Sequence, residues 1–193
     1  MKKNLGIIPT IYERRHNLNI IIEKRTYEFL RQCFKNYNII TLDNCHKFNL
    51  DVIVSLGGNS LYSLEKNASN LYREKLDKFY LKKSLKKNIP FLGICHGAQY
   101  VANYFKSEII KKKNHTRINH LIKFFSEKKI KVNSYHDYSV IKLGKNLEKI
   151  AWTDDGSIEA FKHKKKKIFC IMWHPERYKQ IKKFDLKFIK KYL

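Results

Sequence analysis

Ile89-Pro90-Phe91-Leu92-Gly93-Ile94-Cys95-His96-Gly97-Ala98-Gln99 carries an apolar strand into a Gly-x-Cys-x-Gly turn, then into a helix-like segment beginning near His96. Glycines on both sides of one residue let the chain turn sharply and let strand and helix pack closely, so the stretch predicts a strand–elbow–helix unit of an α/β protein. Two readings of Cys95 stand at this point. It is a nucleophile presented at the end of the strand, or a small buried residue following a core strand. In the first reading the helix N-terminus beside it favours thiolate over thiol.

Outward from the elbow, apolar strand-like runs occur at Leu5 to Ile8, Asn38 to Leu42 and Val52 to Leu56. Segments with helical spacing separate them. Tyr27, Leu30, Phe34 and Tyr37 share one face of a first helix, and Leu71, Leu76, Phe79, Tyr80 and Leu85 approximately share a face of a second. Strand and helix alternating in this way predict an α/β fold whose central sheet is mostly parallel and covered by helices on both faces. Beyond the elbow the runs shorten: His120 to Phe125, Ile130 to Ser134, Tyr138 to Leu143, Leu147 to Trp152, Ser157 to Phe161 and Ile168 to Trp173, with turn signals at Asn146 and Asp154-Asp155-Gly156. These read as antiparallel hairpins added to the same sheet. An amphipathic helix from about Ile181 to Tyr192 follows. With no Pro-, Gly- or Ser-rich linker and no repeat, residues 1–193 are expected to form a single domain.

The composition narrows the class. Of 193 residues, 43% are hydrophobic and 13% aromatic, enough for a real core and too many for a chain disordered by charge. No stretch approaches the roughly 20 apolar residues of a membrane span, and Pro9, Tyr12 and Glu13 cut short the signal-like start Met1-Lys2-Lys3. Cys33, Cys45, Cys95 and Cys170 lie far apart with no C-x-x-C pair and no histidine at zinc-finger spacing, which suggests neither a disulfide scaffold nor a structural metal site. A cytoplasmic setting is expected.

The formal charge is +24. Because the excess is mostly Lys scattered through the chain, it reads as compositional bias and argues against a dedicated nucleic-acid surface, which concentrates Arg and aromatics. Of two dense runs, Lys111 to Lys113 is a candidate loop around a phosphate-bearing substrate, and Lys164 to Lys167 reads as a solvated hairpin turn.

A thiolate nucleophile needs a proton carrier, and one of the eight histidines stands in a comparable setting. In Ile168-Phe169-Cys170-Ile171-Met172-Trp173-His174-Pro175-Glu176 a buried-looking strand delivers His174 at its C-terminal end. Pro175 stops the strand, and Glu176 is close enough to orient the imidazole.

At these residues the chain resembles the class I, or triad, glutamine amidotransferase superfamily. Gly93 to Gln99 resembles its nucleophile motif and Trp173-His174-Pro175-Glu176 its distal motif. The Trp, together with Asp155-Gly156-Ser157-Ile158-Glu159-Ala160, leans toward the γ-glutamyl hydrolase branch typified by γ-glutamyl-γ-aminobutyrate hydrolase. The resemblance implies a flavodoxin-like sheet and a catalytic set of Cys95, His174 and Glu176. It also implies an oxyanion hole of backbone N–H groups at Gly58, Asn59 and His96, within the loop Ser55-Leu56-Gly57-Gly58-Asn59 and at the elbow. The segment Val132-Asn133-Ser134-Tyr135-His136-Asp137 resembles the one that grips the glutamyl amino and carboxyl groups, partly through main chain, so Gly57, Gln99, Ser134, Tyr135 and His136 are expected at the substrate. For His136, propping the loop and touching substrate are both open. His96 departs from the Leu or Arg more familiar after the nucleophile, and a chain shorter than typical of the branch implies abbreviated loops at the leaving-group pocket.

The activity so implied is hydrolysis of a γ-glutamyl amide through a thioester, releasing glutamate with no metal or organic cofactor. Small enzymes of this general look act on a γ-glutamyl-linked cytidine diphosphoramidate in surface-polysaccharide phosphoramidate synthesis. Arg14, Arg15, Lys111 to Lys113 and Arg117 are compatible with such a phosphate-bearing substrate. The alternatives are a glutaminase subunit that delivers ammonia to a separate synthase partner, and a basic nucleic-acid binder keeping the triad as a relic.

Overall fold

The computed structural model describes residues 2–43 and 48–193, so Cys45 lies outside the described residues. The chain begins with β1 (Lys3–Ile8), a hairpin of β2 (Thr10–Arg14) and β3 (Asn17–Ile21), α1 (Lys24–Cys33), β4 (Tyr37–Thr41) and β5 (Val52–Ser55). It continues through α2 (Ala68–Lys87), β6 (Phe91–Ile94), α3 (His96–Tyr104), β7 (Glu108–Lys111), β8 (Thr116–Phe124), β9 (Lys129–Tyr135) and β10 (Tyr138–Lys142). The last elements are β11 (Leu147–Trp152), β12 (Ile158–His163), β13 (Ile168–Ile171), a 3-10 turn at Pro175–Arg177 and α4 (Lys183–Tyr192).

Among the described residues, eleven strands form one sheet in the order β4-β1-β5-β6-β13-β12-β11-β8-β9, with β10 and β7 branching from β12. The central five, β4 to β13, pair parallel throughout. Strands β5, β6 and β13 are buried on both faces, which is why they read as continuous apolar runs without alternation. Phe29 and Leu30 of α1 and Phe188 and Ile189 of α4 cover one face; Leu76, Tyr80 and Leu81 of α2 and Ala98 and Val101 of α3 cover the other. The expected parallel sheet between helical layers, extended by antiparallel strands, is the architecture found.

Two helix faces differ from their predicted form. Tyr37 does not continue α1, which ends at Cys33; it opens β4, and Tyr27 is exposed. On α2, Leu71 and Phe79 point to solvent, whereas Asn70, Arg73, Asp77 and Ser84 are buried with Leu76, Tyr80 and Leu81. That face packs over polar loop ends as well as apolar sheet, so charge at helical spacing marks its inside. Lys164 to Lys167 form the exposed turn between β12 and β13, as expected; the His163 ring accepts the N–H groups of Lys165 and Lys166 within it.

Three adjacent parallel strands end together. β5 runs into Ser55 to Gly58, β6 into Cys95 and β13 into Met172 to His174, so the C-terminal edge of the sheet gathers the glycine loop, the elbow and the His-Pro-Glu motif.

Candidate active site

Cys95 joins β6 to α3 with φ 51° and ψ −100°, a conformation in which a non-glycine residue is strained. The neighbouring glycines make the turn possible by close approach. A Cβ on Gly93 would stand 2.8 Å from the Gly97 backbone, and one on Gly97 would collide with Ser55. The cysteine is 7% exposed, at the bottom of a cavity.

His174 hangs over it from the end of β13. Its Nδ1 lies 2.6 Å from Glu176 Oε1, which leaves Nε2 for a partner on the other side of the ring, and its charge acts directly on Cys95. The His174 backbone is clamped by one side chain: Asn133 Oδ1 accepts its N–H at 2.8 Å, and Asn133 Nδ2 donates to its carbonyl at 2.7 Å. The floor is Gly57, where a Cβ would stand 2.6 Å from His174 Cε1 and 3.2 Å from Cys95 Cβ. Burial on its own favours the neutral thiol, but the charge of His174, with smaller help from His136 and Arg177, holds Cys95 below its ordinary value. Burial likewise disfavours imidazolium, and Glu176 and Cys95 outweigh it, raising His174. The two shifts favour a thiolate beside an imidazolium, the arrangement that a cysteine nucleophile with a proton donor requires.

Beneath the elbow lies a buried polar network that no motif announced. Arg73 and Asp77, both on α2 and fully buried, pair at 3.0 Å. Asp77 accepts the Ser55 hydroxyl at 2.6 Å and meets His96 Nε2 at 2.9 Å. Arg73 donates to the carbonyls of Pro9 and Leu56 at 2.7 and 2.5 Å. Burial and the Arg73 charge hold His96 below its ordinary value, so it stays neutral while Arg73, His96 and Ser55 keep Asp77 ionised against its burial. The imidazole after the nucleophile therefore faces the interior and ties α3 to α2.

The loop opposite is held by its own side chains. Asn59 pairs with both backbone groups of Ile11, at 3.0 and 2.9 Å, and Thr10 donates to the Gly57 carbonyl at 2.7 Å. Gly58, at φ 98°, and Asn59 border the cavity together with Cys95, and the N–H of His96, the first residue of α3, has no helical partner.

The cavity has a volume of about 170 Å³ and is bounded by Gly58, Asn59, Cys95, Gln99, Tyr135, His136 and Arg177 among others. A second, of about 250 Å³, adjoins it over Gly57 and Gly58 and shares His174 and Arg177. Of the residues expected at a substrate, Tyr135 packs edge-on to His174 and His136 lines the wall. Gln99 also lines it, with its amide N–H donated to the Tyr138 carbonyl. Ser134 does not reach the cavity with its side chain: it is fully buried and donates to the His115 carbonyl. Lys112, from the Lys run considered for phosphate, is held by Asp155 at 3.1 Å, and Arg14, Arg15 and Arg117 are exposed away from the residues that line either cavity.

Asn133, Arg73, Asp77 and Arg177 were missed as site residues. Arg177 directly follows the Glu of the distal motif and brings a guanidinium to the cavity, stacked over Tyr135 at 4.6 Å. Adjacency to that motif was the signal available.

The family model described as glutamine amidotransferase class-I matches residues 34–190. A γ-glutamyl-CDP-amidate hydrolase of Campylobacter jejuni is 37% identical over 154 residues, covering 77% of this chain and 76% of that protein. One subunit of the glutamine-hydrolysing GMP synthase of Methanosphaera stadtmanae is 36% identical over 101 residues, 48% of this chain and 54% of that one. A solved structure from Thermoplasma acidophilum, described as that of a GMP synthase subunit, superposes with a TM-score of 0.74 over 100% of this chain and 92% of its own, at 20% identity.

Proposed function

The chain belongs to the class I glutamine amidotransferase family, and from that premise we propose that it hydrolyses a γ-glutamyl amide in which the amine is carried by a nucleoside diphosphate, as in γ-glutamyl-CDP-amidate. The observation that carries the reading is the line from Glu176 through His174 to Cys95 across the glycine floor of the oxyanion loop. The similarity to the C. jejuni hydrolase over three quarters of both chains supports the choice of leaving group.

In this mechanism the Cys95 thiolate attacks the γ-carbonyl carbon. The carbonyl oxygen, as it becomes an oxyanion, accepts the backbone N–H groups of Gly58, Asn59 and His96. His174 gives its proton to the departing amide nitrogen, and the C–N bond breaks to leave a γ-glutamyl thioester on Cys95. A water molecule then loses a proton to His174 and attacks the thioester, releasing glutamate and the thiolate. Glu176 holds the imidazole in the tautomer and orientation that both proton transfers need. Tyr135, His136 and Gln99 wall the acyl group, and Arg177 offers the cation for the glutamyl carboxylate.

The surplus of Lys and Arg suits a phosphate-bearing leaving group at long range through net charge. Such an enzyme, acting in the synthesis of phosphoramidate-decorated surface polysaccharide, would work without a partner.

One observation favours a second reading, a glutaminase subunit serving a synthase. The β2–β3 hairpin sits beside Gly57 and Gly58 and exposes Tyr12, Leu18, Ile20 and Ile21, an apolar surface at the mouth of the site. Incubation with glutamine, simple γ-glutamyl amines and γ-glutamyl-CDP-amidate, with Cys95→Ala as control, separates the two. Cys95-dependent glutamate release from the nucleotide amidate far above that from glutamine is the expected result; release from glutamine alone would favour the glutaminase reading.

A further inference from the structure

His136, which lines the cavity, belongs to a larger buried polar cluster to which the mechanism assigns no bond-making step. Glu159, in β12, is fully buried, and histidines from three other segments converge on its carboxylate. His115, in the loop before β8, places Nδ1 3.8 Å from Oε1; His136, in the loop after β9, places Nε2 3.4 Å from Oε1; His120, in β8, places Nε2 3.4 Å from Oε2. Among the described residues, none of these six atoms finds a hydrogen-bond partner: His115 Nδ1, His120 Nε2, both nitrogens of His136 and both oxygens of Glu159. Buried polar atoms are normally satisfied, and His115 Nδ1, His136 Nε2 and Glu159 Oε1, gathered together without hydrogen bonds, call for a shared partner.

We propose that His115 Nδ1, His136 Nε2 and Glu159 Oε1 ligate a divalent transition-metal ion of the zinc type, with His120 on the second carboxylate oxygen. The three ligand atoms lie within 4.8 Å of one another. Nitrogen and oxygen ligands held at about 2.0–2.2 Å in a tetrahedron stand about 1.6 times that distance apart, roughly 3.3–3.6 Å, against 3.8 and 3.4 Å for the two contacts to Glu159 Oε1, so that binding needs only a small closing of the cluster. Two imidazoles and one carboxylate suit zinc better than magnesium or calcium, which take oxygen.

The surroundings also match a ligand site. His115 Nε2 meets Asp155 Oδ2 at 2.8 Å, with the Ser157 hydroxyl at 3.4 Å. That carboxylate keeps the proton on Nε2 and turns the Nδ1 lone pair toward Glu159, the arrangement that metal-bound histidines commonly use. Asp155 is itself held by Lys112, Thr153 and the Ser157 N–H. The ion fastens two loops and two strands into the wall that His136 presents to the cavity, and takes no part in bond breaking.

Zinc and cobalt binding to the Cys95→Ala chain tests the site, because that variant removes the thiolate as a competing ligand. After chelation and dialysis, one equivalent of either metal is expected to bind, Co²⁺ with the intense visible absorption of tetrahedral coordination, and Zn²⁺ is expected to raise the melting temperature. In that background His115→Ala and Glu159→Gln should each weaken binding by at least about a hundredfold, and Asp155→Asn by about 10- to 100-fold. The proposal fails if the Cys95→Ala chain takes up no ion, or if every one of the variants that folds, as judged by circular dichroism, binds as tightly as its parent. Since the assay uses an inactive variant, its outcome is independent of which amide the enzyme cleaves.

Discussion

Replacing Gly57 with Ala adds one methyl group to the floor beneath the paired Cys95 and His174. The added Cβ would stand 2.6 Å from His174 Cε1. Carbon atoms rest at about 3.5–4.0 Å, so the imidazole or the loop has to move by about 1 Å. The backbone of Gly57 gives no reason for strain of its own, since its φ is not in the left-handed region; the clash alone decides the effect. Neither partner retreats easily. His174 is held at Nδ1 by Glu176 and at both backbone groups by Asn133, while the Gly57 carbonyl is held by Thr10. A misplacement of that size between nucleophile and proton carrier costs on the order of a hundredfold in rate, about 2.7 kcal/mol in the barrier. Glutamate release under kcat/KM conditions, with the melting temperature measured beside it, is the assay. A drop near a hundredfold with a melting temperature within a few degrees of the parent is expected. Activity within threefold of the parent would refute the claim that the glycine floor sets the register of the pair.

Three further outcomes follow from the same geometry. The Cys95 thiol lies below 9.0 because His174 outweighs the effect of burial, so alkylation by iodoacetamide should stay fast at pH 9 and slow as pH falls through the lowered value; in His174→Gln the midpoint should move upward, and an unmoved midpoint would exclude His174 as the cause. Cys95→Ala should remove essentially all turnover, whereas Glu176→Gln, which spares the nucleophile and base, should be roughly a hundredfold less damaging; equal loss in steady-state rate would contradict an orienting role. Asp77→Asn leaves Arg73 buried without its counter-charge, which should destabilise the fold by about 3–5 kcal/mol and lower the melting temperature by roughly 10 °C in calorimetry; a change under 2 °C would mean that Arg73 finds another partner.

The elbow was legible because its signal is local: an apolar strand, two glycines around one cysteine, and a helix. The His-Pro-Glu stretch shared that property, its strand and stop lying within nine residues. The β2–β3 hairpin was not legible, since every residue of β3 is exposed and its pairing buries little that would impose alternation. Arg73 and Asp77 sit four apart on a helix, the spacing of a solvated pair, and only the loop ends beneath α2 make that face an interior one. Asn133 and the histidines around Glu159 act across tens of residues of sequence. No local pattern records contacts that the antiparallel strands bring together.

The two halves of the sheet divide the work at the site. The parallel half supplies Cys95, the glycine loop and His174 from three neighbouring strand ends, and the Arg73–Asp77–His96 network locks two of those ends to one helix. In the proposed mechanism the groups that make and break bonds come from this half. The antiparallel half supplies Tyr135 and His136, from a loop between β9 and β10 whose position depends on Thr116, His115 and the Glu159 cluster. It meets the site through the Asn133 clamp on the His174 backbone, the cavity wall and the charge of His136 on Cys95. Changes around Glu159 that spare Asn133 should therefore alter which γ-glutamyl compounds are accepted, read as KM, and should slow thiolate alkylation at Cys95 only by the small share that the His136 charge contributes. A large fall in both together would mean that the wall and the nucleophile are one mechanical unit.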